Sequence, residues 1–315
     1  MRRTVITAIS LVAALLALAP STSAASNPGA TNKAAFPVTV QSGEGAVQIP
    51  SRPTRILSLS ASATQMLYAI GSGSQVVGVD KYSTWPPTAP RTHFTGYESS
   101  AEDYLPKHPD LVVLAFNSGH LVAQLQKLRI PTLLLPPAVT IAAAEAQVTE
   151  LGRATGHASG ATRTNATIDR QVSHAVASAK GRGKGDTYYL EIDQTYYSAT
   201  SKTFIGALFS RFGMRNIADK ASKASSSYPQ MSAEYVVKAN PDYVFLADSI
   251  CCGQSAKTFA GRPGFSHLRA VGLKHVIAVN DSVASEWGPH SVEAFLSLIA
   301  GVLGARTATS PSASS

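Results

Sequence analysis

Beyond residue 35 the chain alternates short apolar runs with stretches of helical spacing. Residues 36–40 and 46–49 flank Ser42-Gly43-Glu44-Gly45, the signature of an entry hairpin. Strands are predicted over Ile56–Leu59, Val76–Val79, 111–115 and 132–135, with helices over 63–70, ended by Gly71, and about 120–129. A helix over 142–155 stops at Gly156, and a second runs from about 160 to 180. Its small and apolar positions, Ala161, Asn165, Ile168, Val172, Ala175, Val176 and Ala179, recur about every 3.5 residues along one face. Twenty helical residues reach about 30 Å, enough to bridge two bodies. After Gly181-Arg182-Gly183-Lys184-Gly185 a second alternating block follows: strand 187–192, helix 202–212, helix Ala233–Ala239, strand 243–247, strand 275–279 and helix 291–303. Strands that alternate with helices imply βαβ units and a mostly parallel sheet, so the chain is α/β.

An internal repeat relates the two blocks. Ser100-Ala101-Glu102 precedes Pro109-Asp110 and an apolar run ending at Ala115; Ser232-Ala233-Glu234 precedes Pro241-Asp242 and a run ending at Ala247. The Ser, Ala, Glu, Pro, Asp and final Ala recur at one offset of 132 residues, which reads as two copies of a capped helix, a Pro-Asp turn and a buried strand. Two equivalent lobes are therefore expected. The divisions are a removable N-terminal segment at 1–25, a first lobe at 26–156 with its leader and hairpin, a connecting helix at 157–184, a second lobe at 185–304 and a polar tail at 305–315.

The N-terminal segment changes the picture of where the protein works. Arg2 and Arg3 precede an uncharged apolar run over 5–19, then small residues at 21–25, the pattern of a cleavable export signal. The run is shorter than the ~20 residues that cross a bilayer. Without a Cys after it, attachment of a lipid at the mature N-terminus is not expected, and the protein is placed in the periplasm or outside the cell. The formal charge of +8 falls to +6 without Arg2 and Arg3, and the cations are scattered rather than striped among aromatics, which argues against a nucleic-acid partner. The two cysteines, Cys251 and Cys252, are adjacent; an oxidising compartment favours pairing, with free thiols or an intermolecular bond as alternatives.

Candidate chemistry is that of binding rather than catalysis. The chain has no glycine-rich phosphate loop, nucleophile elbow or His-Glu-x-x-His, its histidines form no ligand-spaced cluster, and neither a metal nor a cofactor is expected. Aromatics fall at strand ends and loops: Tyr82, Trp85, Tyr97 and Phe116 in the first block, Tyr196, Tyr197, Tyr228 and Trp287 in the second. Ligands of α/β sheets bind beyond the carboxyl ends of the strands, so these residues are candidates for a cleft that holds a large, flat, partly apolar ligand. Glu102 and Glu234 read locally as first-turn carboxylates meeting helix dipoles, and through the repeat as matched contacts for a two-fold membrane partner.

The stretch 53–71 (PTRILSLSASATQMLYAIG), followed by Val76-Val77-Gly78-Val79, resembles the opening of the cobalamin and iron-siderophore binding proteins of ABC importers. Pro109-Asp110, Pro241-Asp242 and Trp287-Gly288-Pro289-His290 fit the same family, and the resemblance spans about residues 36–304. It implies two Rossmann-like lobes joined by a single long rigid backbone helix, a ligand cleft between them and no enzymatic activity. It further implies docking of Glu102 and Glu234 onto arginines of an ABC permease in the cytoplasmic membrane, by a monomer. Tyr82-Ser83-Thr84-Trp85-Pro86-Pro87 is similar to the cobalamin-binding branch, which favours cobalamin over a ferric siderophore or haem. A scavenging or adhesion protein working without a transporter is the reading from another class. Gln65 departs from the family, where Glu is frequent.

Overall fold

The computed structural model describes residues 36–305 except Ser99 and residues 222–225, so the proposed signal segment and nearly all of the tail lie outside it. The chain opens with the hairpin β1 (Val38–Ser42) and β2 (Gly45–Ile49), in which Ser42 pairs with Gly45. The first α/β block contains β3 (Ile56–Leu59), α1 (Ala61–Ala69), β4 (Val76–Val79), β5 (Leu111–Leu114), α2 (Leu121–Lys127) and β6 (Thr132–Leu134). Two long helices follow, α3 (Ile141–Thr155) and α4 (Ala158–Ser178). The second block runs through β7 (Thr187–Glu191), α5 (Phe204–Arg211), β8 (Arg215–Asn216), α6 (Ala218–Ala221), α7 (Ala233–Ala239) and β9 (Tyr243–Leu246). It ends with α8 (Ala256–Ala260), α9 (Arg269–Gly272), β10 (Val276–Ala278), α10 (Asp281–Ser285) and α11 (Pro289–Ala305).

The strands form two four-stranded parallel sheets, β4-β3-β5-β6 and β10-β9-β7-β8. Counted within each block, both orders are second, first, third, fourth. The direction of winding therefore reverses between β3 and β5, and again between β7 and β9. Such reversals open a crevice at the carboxyl ends of the strands.

The strands are apolar on both faces because both faces are covered. Leu111 and Val113 face a large core shared with α3, α4, α5 and α11, while Val112 and Leu114 face a separate core under α2. Tyr243 and Phe245 point into the same shared core, and Val244 and Leu246 into a third. The period of two is that of a pleated strand. The shared core, with Leu151, Ile168, Phe209 and Phe295 among its members, joins the two halves.

The repeat has a structural meaning down to single atoms. Asp110 accepts hydrogen bonds from Thr54 N and Thr54 Oγ1, both 2.8 Å, just before β3. Asp242 accepts from Thr187 N at 2.8 Å and Thr187 Oγ1 at 2.9 Å, at the start of β7. The Pro-Asp turn thus fixes the start of the third strand against the start of the first in both halves. The helices before the two turns end on residues with left-handed backbone, His108 (φ 45°) and Asn240 (φ 44°).

One expectation is corrected. The repeat unit at Ala101–Lys107 is a 3₁₀ helix rather than an α-helix; Pro106 lies within it and has no N–H to donate to an α-helical ladder. The long helix, expected from about residue 160 within the segment 157–184, runs from Ala158 to Ser178 and includes Gly160. A Cβ at that position would sit 2.0 Å from the carbonyl oxygen of Ile70, so the glycine is what lets α4 pass directly over the end of α1. The helix covers 21 residues, and its buried positions Ala161, Thr164, Ile168, Val172 and Ala175 form one stripe. α4 packs against α3 on one side and α11 on the other.

Candidate ligand-binding cleft

The two crevices predicted by topology are both present and adjoin each other. A cavity of about 510 Å³ lies at the end of the first sheet, lined by Ser60 after β3, Asp80 after β4 and Ala115 and Phe116 after β5. A second, of about 290 Å³, lies at the end of the other sheet, lined by Ile192 after β7 and Ala247 after β9. Phe116, Asp281, Ser285, Glu286 and Trp287 line both, so the cavities are two parts of one cleft. Each falls within or near the size range of small-molecule pockets.

Trp287 forms the floor where they meet. Its backbone N–H donates to Ser62 Oγ (3.0 Å) on α1, and its indole Nε1–H donates to Gln147 Oε1 (2.7 Å) on α3. It is almost wholly buried and carries both polar contacts a buried tryptophan needs. By contrast, Tyr82, Tyr97, Phe116 and Tyr228 are 42–55% exposed, although all four line the cleft. The Tyr97 and Phe116 rings stack with centroids 5.3 Å apart, and Lys81 Nζ lies 5.0 Å from the centre of the Tyr82 ring. Large aromatic surface left open to water in a concave wall is surface available to a ligand.

The remaining aromatic candidates lie elsewhere. Trp85 stacks on His290 at 4.5 Å beside α4, in a separate cavity with Arg163 and Glu293. Tyr196 packs against Phe265 and the Arg262 guanidinium, and Tyr197 bridges to Gln230. Tyr196 and Tyr197 line neither part of the cleft.

The cleft carries more acid than base. Asp80, Asp281 and Glu286 line it with Lys81, and no Arg or His is among its described lining residues. Burial raises the Asp80 carboxyl to about 6 against the opposing hydrogen bonds of Ser83, with Glu98 adding to the rise. Burial likewise raises Glu286 to about 7, against a hydrogen bond from Ser291 and helped by the nearby charge of Asp80. Sequence reasoning passed over these three acids. Asp80 and Asp281 each follow closely on a strand, the position from which ligand contacts are drawn; Glu286 gives no such signal.

Glu102 and Glu234 lie outside the cleft and are exposed. Ser100 and Ser232 cap their helices, accepting from Glu102 N (3.3 Å) and Tyr235 N (3.2 Å). The Ser100 hydroxyl and its own backbone N–H hold the Glu102 carboxyl below its usual range; its own backbone N–H and then Ser232 do the same for Glu234. Both therefore stay ionised in water. Each helix leads by a tight turn into a parallel strand, so its N-terminus points toward the end of the sheet at which the cleft opens.

No described group of three or more His, Cys, Asp or Glu side chains is arranged to hold a metal ion. No described helix is long and apolar enough to cross a membrane. Cys251 and Cys252 are bonded to each other.

Comparison with known proteins agrees with this architecture. A cobalamin-binding protein of Halobacterium salinarum is 32% identical over 91% of this chain and 79% of its own length. An ABC transporter substrate-binding lipoprotein of Bacillus subtilis, itself uncharacterized, is 26% identical over 82% of this chain and 83% of its own length. The periplasmic haem-binding protein of a Roseiflexus species, in apo form, shares the fold with a TM-score of 0.69 at 21% identity, over 80% of this chain and 98% of that one. The model of the periplasmic binding proteins, a family of substrate-binding proteins rather than enzymes, matches residues 56–283. With its two like-ordered parallel sheets, its cleft at their carboxyl ends and a match over most of its length, this chain belongs to the periplasmic binding protein family.

Proposed function

We propose that this protein captures a corrinoid, cobalamin foremost, between its two lobes outside the cytoplasm and delivers it to an ABC permease through Glu102 and Glu234. The observation that carries the ligand choice is the lining of the cleft: open aromatic faces of Tyr82, Tyr97, Phe116 and Tyr228 together with Asp80, Asp281 and Glu286 and a single cation. A corrin ring is broad and partly apolar, its rim carries amides, and cyanocobalamin is neutral overall. Such a ligand meets aromatic walls and hydrogen-bonding carboxyls without charge repulsion. Haem brings two carboxylates and ferric catecholates a net negative charge, which this lining disfavours. The names of relatives support the same choice, among them cobalamin-binding and vitamin B12-binding proteins.

Delivery rests on the matched pair of ionised, exposed carboxylates at equivalent helix starts. The test is uptake of labelled cobalamin by cells that depend on this protein. Glu102→Arg with Glu234→Arg abolishes uptake while leaving binding by the purified protein intact. Undiminished uptake by that variant refutes docking through these residues and favours a transporter-independent scavenger.

A further inference from the structure

The loop that carries Cys251 and Cys252 is tied to the cleft by one side chain. Its ends are fixed: Ser249 Oγ donates to Val279 O (2.6 Å), and Gln254 Oε1 accepts from Arg262 Nη2 (2.8 Å), which is itself paired with the fully buried Glu191. Between these anchors the backbone N–H groups of Ile250 and Cys251 converge on the Asp281 carboxylate, donating to Oδ1 (3.0 Å) and Oδ2 (2.5 Å). Asp281 opens α10 and lines both parts of the cleft. The rest of the loop is open to water: Ile250 is 68% exposed, Cys251 and Cys252 are exposed, and a Cβ at Gly253 (φ +68°) would meet nothing within 4 Å.

From this arrangement we infer that the Cys251–Cys252 disulfide is a redox latch on the ligand cleft, holding Asp281 in place through the two amides of its loop. Bonded neighbours close a ring that contains the peptide joining them, so the backbone of both residues is held in one arrangement. That arrangement presents adjacent N–H groups to one carboxylate. A small dithiol reaches the exposed sulfurs. It supplies two electrons and two protons, the Cys251–Cys252 bond breaks to give two thiols, and the dithiol closes to its own cyclic disulfide. Once the ring is open, the stretch through Gly253 regains its backbone freedom and the paired donors separate. Asp281 then loses the two charge-assisted bonds that fix it, and its carboxylate no longer meets the ligand in one position. Reduction weakens ligand capture in this way. Oxidation restores it.

The latch acts on the ligand site proposed above, so its test has arms with and without ligand. The full chain is compared oxidised and after anaerobic reduction with dithiothreitol and desalting. Without ligand, amide exchange at Ile250 and Cys251 is expected to accelerate by tenfold or more on reduction. Emission of Trp287, isolated by a Trp85→Phe substitution, is expected to shift. With cyanocobalamin, reduction weakens affinity by about tenfold. The Cys251→Ser/Cys252→Ser variant shows the exchange and affinity of the reduced form with or without reductant. Asp281→Asn removes the redox dependence of affinity. Equal exchange rates in the two forms overturn the latch, as does equal affinity despite faster exchange. Cyanocobalamin binding to neither form refutes the corrinoid reading, while exchange and Trp287 emission still decide the latch.

Discussion

Gln65 and Ser291 exchange hydrogen bonds across the floor of the cleft: Gln65 Nε2 donates to Ser291 Oγ (2.8 Å), and Ser291 N donates to Gln65 Oε1 (3.1 Å). The pair joins α1 to the start of α11, and the same Gln65 amide donates to Glu286. Gly288 lies so close that a Cβ there would meet Gln65 Oε1 at 2.3 Å. The amide at position 65 thus supplies Glu286 with a donor that an ionised carboxylate could not. Gln65→Ala leaves buried partners unsatisfied and is expected to cost about 1–3 kcal/mol in chemical denaturation. Gln65→Glu sets a second carboxyl against Glu286 and is expected to destabilise more at pH 8 than at pH 5. Equal losses at the two pH values would show that charge plays no part.

Stability should fall as pH rises from about 4.5 through about 7. Asp80, Asp248 and Glu286 have folded-state values raised to about 6, 7 and 7, chiefly by burial. In that window the native chain holds protons that the unfolded chain has released, so each rise in pH favours unfolding. The stability these acids contribute is full below their unfolded values and is lost through their folded ones. Thermal unfolding at half-unit steps from pH 5 to pH 8 checks the slope. Glu286→Gln is expected to flatten its upper part, and an unchanged slope in that variant would remove Glu286 from the account.

Ligand affinity should divide the aromatic residues by position. Phe116→Ala removes a wall common to both parts of the cleft and the stacking partner of Tyr97, and is expected to weaken cobalamin binding by ten- to a hundredfold. Trp85→Phe, at the His290 stack away from the cleft, should leave affinity within about twofold. Calorimetry of the two variants separates these outcomes.

Gly160→Ala should be costly out of proportion to one methyl group. The new Cβ would press on the Ile70 carbonyl oxygen, which belongs to backbone and cannot rotate away. A loss of about 1–3 kcal/mol or more is expected, measured by denaturation. A neutral effect would mean that α4 and α1 can separate freely.

Much of this fold is legible in the sequence because its strands carry a strong signal. Leu111–Leu114 and Tyr243–Leu246 are unbroken apolar runs flanked by Pro-Asp and an alanine, and both are central strands. The repeat around Glu102 and Glu234 corresponds to matched topology, with Asp110 and Asp242 in the same role. Elements missed by periodicity are too short to display one: β8 is two residues long, and α8 and α10 are five each. The 3₁₀ form of Ala101–Lys107 is hidden because its cap and length suit an α-helix until Pro106 is considered. In the cleft, the open aromatics at strand ends are readable from position alone. Trp85 and Tyr196 are not distinguishable in that way, since their partners His290 and Phe265 are far away in sequence. The acids are harder still: Glu286 is bonded by the Gln65 amide, from more than two hundred residues earlier.

The most direct test of the account is a calorimetric titration of the purified protein with cyanocobalamin, haem and representative ferric siderophores under one set of conditions. Tight one-to-one binding of cyanocobalamin, with haem and the anionic chelates bound weakly or not at all, is the predicted result. Tight binding of haem or a ferric chelate with none of cyanocobalamin would contradict it, and would show that the acidic, aromatic lining does not select a neutral corrinoid.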